Sequence, residues 1–384
     1  MSRDYRDVAL VTPTTFGYAK KSPFPVAWFI AGTLAEMLRK AGLDKDSIDG
    51  LVIASYRNAP DNAASSTQHL GISPRYLVDL PYGGASGVMA LRRAARAVQA
   101  GDAEIVACIG ADVPPPANET GANFSNASRD AVYPYGAGGP NAVFSLITQA
   151  YARENRVRRE DFGAICTAQR KNAQHFSAAL LRGPLSLADY LGARMVTDVL
   201  GLYDCVMRCC GAEGVLVMAV DRARSLGLPY AVIAGAVERH NSHPQDDVQQ
   251  RIGLPGDREA LFSAAGLAPQ DMDFVQAYDD YPVIVMLQLE SLGFCAQGEA
   301  ARFVSAHDLT FAGDFPLNTC GGMLSMGQAG AAGGFVGVTE AVRQLTGSAM
   351  ENPVERARAG VVSCYGMVNY DRGVCWSAAI LQSG

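Results

Sequence analysis

Four stretches of this chain carry residue types and spacings that could do chemistry. Two are glycine-rich turns: Tyr82-Gly83-Gly84-Ala85-Ser86-Gly87 and Asn318-Thr319-Cys320-Gly321-Gly322-Met323-Leu324-Ser325-Met326-Gly327-Gln328-Ala329-Gly330. Glycine lets a backbone approach a ligand closely, so its amides can face developing negative charge. Gln328 does not titrate and cannot be a general base, but its amide can donate to an oxyanion. A third stretch, Tyr278-Asp279-Asp280-Tyr281, sets two carboxylates between two phenols. A carboxylate screened from water holds its proton more tightly and becomes a stronger base once ionised. The simpler alternative is that Asp279 or Asp280 caps the helix starting at Pro282. The fourth is Ser363-Cys364-Tyr365-Gly366, a thiol beside a glycine, with Tyr370 nearby. Cys364 is a proton carrier or a small buried thiol at a strand end.

These groups need a scaffold, and a repeat in the sequence supplies it. Ala41-Gly42-Leu43-Asp44-Lys45-Asp46-Ser47-Ile48-Asp49-Gly50-Leu51-Val52 returns as Ala265-Gly266-Leu267-Ala268-Pro269-Gln270-Asp271-Met272-Asp273-Phe274-Val275. Each copy predicts a helix closed by glycine, a short turn and a strand. An amphipathic helix precedes each, at 28–40 and 258–264, and one glycine-rich turn follows each. One α/β half is therefore written twice, residues 1–225 and 226–384, and the two copies must pack together. The first turn leads into a predicted helix beginning near Ser86, which is read as its N-cap. A strand is predicted at 215–218, led in by the small thiols Cys209 and Cys210. Residues 114–203 do not fit the repeat and are read as an insertion over the site, with helices at 142–154 and 161–174. It carries Arg153, Arg156, Arg158, Arg159, Arg170, Lys171 and Arg182. Of these, Arg170, Lys171 and Arg182 are the candidates for contacting phosphates, and Arg156–Arg159 is read as a solvated face.

Composition narrows the class. The 384 residues are 49% hydrophobic and 18% charged, which suits one large or two packed α/β domains. A net charge of −6 disfavours nucleic acid. No apolar run reaches the roughly 18 residues that span a bilayer, and no signal-peptide core opens the chain. Nine scattered cysteines predict free thiols in a reducing cytoplasm. The five histidines lack a metal-ligand framework, so no metal site is read.

In order and spacing these motifs resemble the thiolase superfamily, nearest the sterol-carrier-protein and lipid-transfer-protein branch that includes steroid side-chain aldolases. Thiolases normally have a nucleophilic Cys where this chain has Gly84, and Gly-His-Pro where this chain has Gly327-Gln328-Ala329, a pair that the steroid side-chain aldolases of this branch also lack. Tyr278-Asp279-Asp280-Tyr281 falls where this branch has His-Asp-Cys-Phe. Tyr203–Ala212, Leu289–Cys295 and the Cys-x-Gly at Cys364–Gly366 extend the likeness over nearly the whole chain. The resemblance implies two duplicated five-layered α/β/α/β/α halves with a loop insertion.

It also implies that no acyl-enzyme forms at residue 84. The expected activity is a retro-aldol carbon–carbon lyase of β-hydroxyacyl-CoA, with coenzyme A thioester as substrate and no bound cofactor. Tyr278, Asp280 and Cys364 are its expected acid–base groups. Gly84, Gly322, Gln328 and Gly366 are expected to form the oxyanion and substrate site. Two alternatives stand beside it: an acetyl-CoA acetyltransferase-type enzyme with its nucleophile moved to Cys364 or Cys320, and a non-catalytic acyl-CoA or lipid-binding subunit. A homodimer and a partner carrying an OB fold and a zinc ribbon are implied by the resemblance alone.

Overall fold

Among the described residues, nine strands form one continuous sheet in the order β3-β2-β4-β5-β1-β6-β9-β8-β7. They are β1 (Tyr5–Ala19), β2 (Gly50–Ala54), β3 (Tyr76–Asp79), β4 (Ile105–Asp112), β5 (Cys210–Ala219), β6 (Ala231–His240), β7 (Phe274–Ala277), β8 (Ala359–Asn369) and β9 (Arg372–Ser383). A computed structural model describes residues 4–59, 61–114 and 129–384. Pro115 and Pro116, at the predicted start of the insertion, lie outside the described residues. The helices that matter for the site are α1 (Val26–Ala41), α2 (Ser86–Ala100), α3 (Gly139–Asn155), α4 (Arg159–Gln174), α5 (Pro255–Ala265), α6 (Pro282–Leu292), α7 (Gly322–Met326) and α8 (Gly333–Leu345).

The repeat is visible in the pairing. β2 runs parallel to β4 and β7 parallel to β8, and every other pairing inward to the middle is antiparallel. Each half thus reads inward from its rim to β1 or β6, and the two halves meet where those strands pair. The repeated helix ends also match: Gly42 and Gly266 close α1 and α5 in the left-handed conformation, where a side chain is strained.

α2 and α8 are the inner layer, because each touches strands of both halves. They cross at glycines. A Cβ on Gly87 would sit 1.8 Å from the Gly334 carbonyl oxygen, and one on Gly334 would sit 2.6 Å from that of Gly84. α1 covers the outer face of the first half, and α5 packs on β6 and β9 of the second. The helix pair is thus packed against both halves of the one sheet, with α1 and α5 on their outer faces. α6 is buried along nearly its full length, so an apolar helix on all sides needs a cover. The insertion supplies it: Phe144, Ile147 and Tyr151 of α3 join the cluster containing Val283, Ile284 and Leu287, and the Tyr151 hydroxyl bonds Glu290.

Candidate active site

Three strand ends and two turns converge at one edge of the inner layer. The first turn is a single 3-10 turn, Gly83–Ala85, running into α2. Ser86 does not cap that helix. Ala85 precedes it, and the buried Ser86 hydroxyl lies 3.4 Å from the Leu80 carbonyl oxygen. The run of tight glycine contacts leaves this serine packed on the preceding strand's exit, with no room to turn back on the amides. Gly366, at the far end of β8, lies against the same turn. A Cβ there would be 2.8 Å from the backbone nitrogens of both Gly84 and Ala85. The sequence-predicted Gly84 and Gly366 are thus brought together.

Gly84 is glycine for a steric reason. A Cβ on it would lie 2.2 Å from Cε2 and Cζ of Tyr278 and 2.4 Å from the Tyr365 carbonyl oxygen. The Tyr278 ring therefore fills the space a side chain at 84 would need. Tyr278 follows β7 and extends the sheet by donating its N–H to Ser363 O at 2.9 Å. Its hydroxyl accepts from Gln328 Nε2 at 2.9 Å, which leaves the phenolic proton free to be donated. Burial and the charge of Asp280 hold that proton well above the usual tyrosine range. Gln328 is fixed through its backbone, bonding Met207 O at 2.8 Å and accepting from Cys209 N at 3.0 Å.

Neither aspartate caps α6, whose N-cap is Tyr281 without a side-chain bond. Asp279 reaches across instead to the second turn and accepts from Met323 N at 2.9 Å and Leu324 N at 3.1 Å. It caps α7, and burial raises its pKa to about 7 against those two bonds. Its carboxylate lies 2.1 Å from where a Cβ of Gly322 would be. Gly322 therefore makes room for Asp279, and the α7 amides that an oxyanion would have used are already taken.

Asp280 is the least satisfied group of the site. It is 6% exposed, and its Oδ1 has no hydrogen-bond partner among the described residues. Burial, with the Asp279 charge beside it, drives its pKa far above the ordinary carboxyl range. Burial, with Asp280 adding to it, raises the phenols of Tyr56, Tyr278, Tyr281 and Tyr365. Asp280 is the electrostatic centre of a ring of tyrosines. Tyr281 stacks on Phe144 of the insertion, with centroids 4.0 Å apart, and bonds Asn141 at 2.5 Å. Tyr365 bonds Gln249 at 2.5 Å.

The cysteines of the sequence reading are packed away. Cys364 donates to Gly334 O at 3.3 Å, and burial pushes its thiol up to about 12. Cys320 is buried too, its thiol raised well above the usual value. Arg170 is buried, with Nε 3.1 Å from Ser325 Oγ and its guanidinium over the Tyr203 ring. It braces the second turn from inside and presents nothing to solvent. Lys171 and Arg182 are exposed. Arg182 directly follows Leu180 and Leu181, whose amides bond Met326 O and Ser325 O.

Residues that the sequence reading passed over also build the site. Asp112, ending β4, accepts from Ser55 Oγ, Tyr56 N, Arg57 N and Ala331 N. It ties the loop bearing Tyr56 to the turn that starts α8. Asn318 accepts from Ala277 N at 2.8 Å through Oδ1, at a φ of 48° that asparagine tolerates. Asn318 had a local signal, as the first residue of the glycine-rich turn, whereas Asp112 had none because its partner Ala331 is remote in sequence.

The chain matches the Thiolase C-terminal domain-like family model over residues 236–376. A steroid side-chain-cleaving aldolase of Thermomonospora curvata is 30% identical over 332 residues, 82% of this chain and 83% of the relative. This chain belongs to the thiolase superfamily. Another thiolase-like relative, the 17-hydroxy-3-oxo-4-pregnene-20-carboxyl-CoA lyase of Mycobacterium tuberculosis, is 30% identical, covering 84% of this chain and 87% of the relative. Among solved structures, the Ltp2-ChsH2(DUF35) aldolase superposes with a TM-score of 0.83 at 26% identity, covering 98% of both chains. Within this thiolase frame, the nucleophile position is filled by a neighbouring phenol, and the carboxyl beside it, Asp280, is held in its protonated form by burial.

Proposed function

We propose that this chain is a retro-aldol lyase that cleaves the Cα–Cβ bond of a β-hydroxyacyl-CoA with a steroid-like or aromatic side chain. The observation that carries this is Asp280, a buried carboxyl among phenols with one oxygen left without a partner, at a site where Gly84 leaves no nucleophile. Two 30% identical relatives are named as a steroid side-chain-cleaving aldolase and a pregnene carboxyl-CoA lyase.

In the ionised form Asp280 takes the β-hydroxyl proton. The freed electron pair closes the carbonyl, the Cα–Cβ bond breaks, and its electrons become the thioester enolate. The second N–H of Gln328 is the donor offered to that oxygen. Tyr278 returns a proton to Cα, which releases a shorter acyl-CoA, and takes one back from Asp280. Lys171 and Arg182 are the cations offered to the CoA phosphates. The solved aldolase is named with a second component, ChsH2(DUF35), and a small OB-fold, zinc-ribbon partner is proposed for this chain as well, together with a homodimer.

The test is incubation of the purified chain, with and without such a partner, with β-hydroxyacyl-CoAs and acetoacetyl-CoA, followed by mass spectrometry. A carbonyl product plus a shorter acyl-CoA is expected, with the rate falling on the order of 10²–10⁴-fold in Asp280→Asn. CoA-dependent cleavage of acetoacetyl-CoA that survives Asp280→Asn would overturn the lyase reading.

A further inference from the structure

Away from the tyrosine ring, the sheet assembles a thiol, an imidazole and a carboxylate in line. His240 ends β6 and pairs directly with Cys375 of β9. Glu238 lies two residues earlier on β6, so it shares the face of His240. Cys375 Sγ is 3.3 Å from His240 Nδ1, and His240 Nε2 is 2.9 Å from Glu238 Oε1. The carboxylate is anchored in turn: Arg92 Nη1 lies 2.7 Å from Glu238 Oε2, and Arg93 bonds both oxygens at 2.6 and 2.8 Å.

The proton positions follow from charge. Burial alone would raise the Glu238 pKa, but the bonds from Arg93 and His240 and the two guanidinium charges outweigh it and hold it at about 2. An ionised carboxylate only accepts hydrogen bonds, so Nε2 of His240 carries the hydrogen that faces it. Nδ1 is then an acceptor aimed at the Cys375 thiol. Burial, with the Glu238 charge behind it, pushes that thiol up to about 11. The sulfur is therefore protonated at rest and gives up its proton only as it attacks.

We propose that Cys375, His240 and Glu238 form a second nucleophilic centre that accepts an acyl group from a thioester. A nucleophile within reach of a base, with the base oriented by a third group, is the arrangement such chemistry needs. The Cys375 sulfur bonds the thioester carbonyl carbon as its proton passes to His240 Nδ1. The carbon–sulfur bond to the leaving thiol then breaks, and His240 protonates that thiol. The product is acyl-Cys375 and a free thiol, with no oxidant or reductant. The centre lies behind the first turn: the Tyr82 ring is 5.4 Å from the His240 ring. Cys375 is buried, so the centre opens to solvent through the His240 side chain, which is 45% exposed, and through a surface groove that includes Glu238, Tyr5, Tyr76, Arg92 and Arg93.

The test uses the intact chain with acetyl-CoA, and separately with iodoacetamide, read by peptide mass spectrometry. Acetylation of Cys375 is expected, along with alkylation that slows on the order of a hundredfold in His240→Gln. Alkylation of the half-buried Cys295 in the same sample should not change, which shows that the variant is folded. The adduct should persist in Asp280→Asn, so its loss and failure of the lyase reading are told apart. Equal Cys375 rates in wild type and His240→Gln, labelling only after unfolding, or alkylation without any acetyl adduct would each overturn the proposal.

Discussion

At the scale of single residues, the site turns on an exchange between positions 84 and 278. Tyr278 occupies the volume beside Gly84, so restoring a thiol at 84 means overpacking a full core. Gly84→Cys is expected to lower stability by about 1–3 kcal/mol. Tyr278→Ala should offset part of that loss, with the rest set by the Tyr365 carbonyl. Thermal melts of the two single variants and the double variant measure the coupling, and strict additivity would mean that the two positions do not share space. Asp280 makes a prediction about pH. Its proton is held far above the ordinary carboxyl range, so the base form grows as pH rises. kcat/KM should therefore climb through and above neutrality, where an ordinary aspartate would give a plateau above about pH 5. The sequence showed that Gly84 and Gln328 break their pattern and that Asp280 lies next to them. It could not show that the Tyr278 ring answers Gly84, because that contact joins residues just over half the chain apart.

Local elements were the most legible part of the chain. The repeated helix–glycine–turn–strand unit appears twice, with glycine in the left-handed position both times, since backbone conformation there is written in residue type. Capping was less legible. Ser86 and the two aspartates satisfy a local capping rule, yet Ser86 turns toward Leu80 O and Asp279 toward α7. Asp279 prefers amides 44 and 45 residues away to those of the adjacent helix, and nothing in a short window records that. The α2–α8 crossing is the element most exposed to test. Gly87→Ala puts a methyl 1.8 Å from the Gly334 carbonyl oxygen, and the helices can only part. A loss of about 1–3 kcal/mol is expected, read as a lower urea midpoint. Activity should fall with it, because α8 carries Gly334 against the first turn. An unchanged midpoint would mean that the layers slide freely.

At the scale of the whole molecule, three buried carboxyls make stability depend on pH in an unusual direction. Burial raises Asp112 to about 6, Asp279 to about 7 and Glu213 to about 8. Each folded pKa lies above its unfolded value, so between about pH 4 and those values the folded chain holds protons that the unfolded chain has released. Their contribution is whole below about pH 4 and is lost as pH climbs toward 8. Glu213 shows it best, because its Oε2 accepts from Thr339 at 2.6 Å and Thr15 at 2.9 Å, bonds that a glutamine oxygen also accepts. Glu213→Gln should melt with the wild type at about pH 5 and above it at about pH 9, and a constant gap in Tm would refute the assignment.

β1 lies at the centre of the sheet, between β5 and β6, although it is the first strand of the chain. A ribosome releases it roughly 200 residues before its partner on β5 emerges. Until then both of its edges are bare, and the seam joining the two halves cannot close. Folding of this chain therefore waits on its most distant pairing, which makes it a slow folder by topology and exposes a sticky strand early in synthesis.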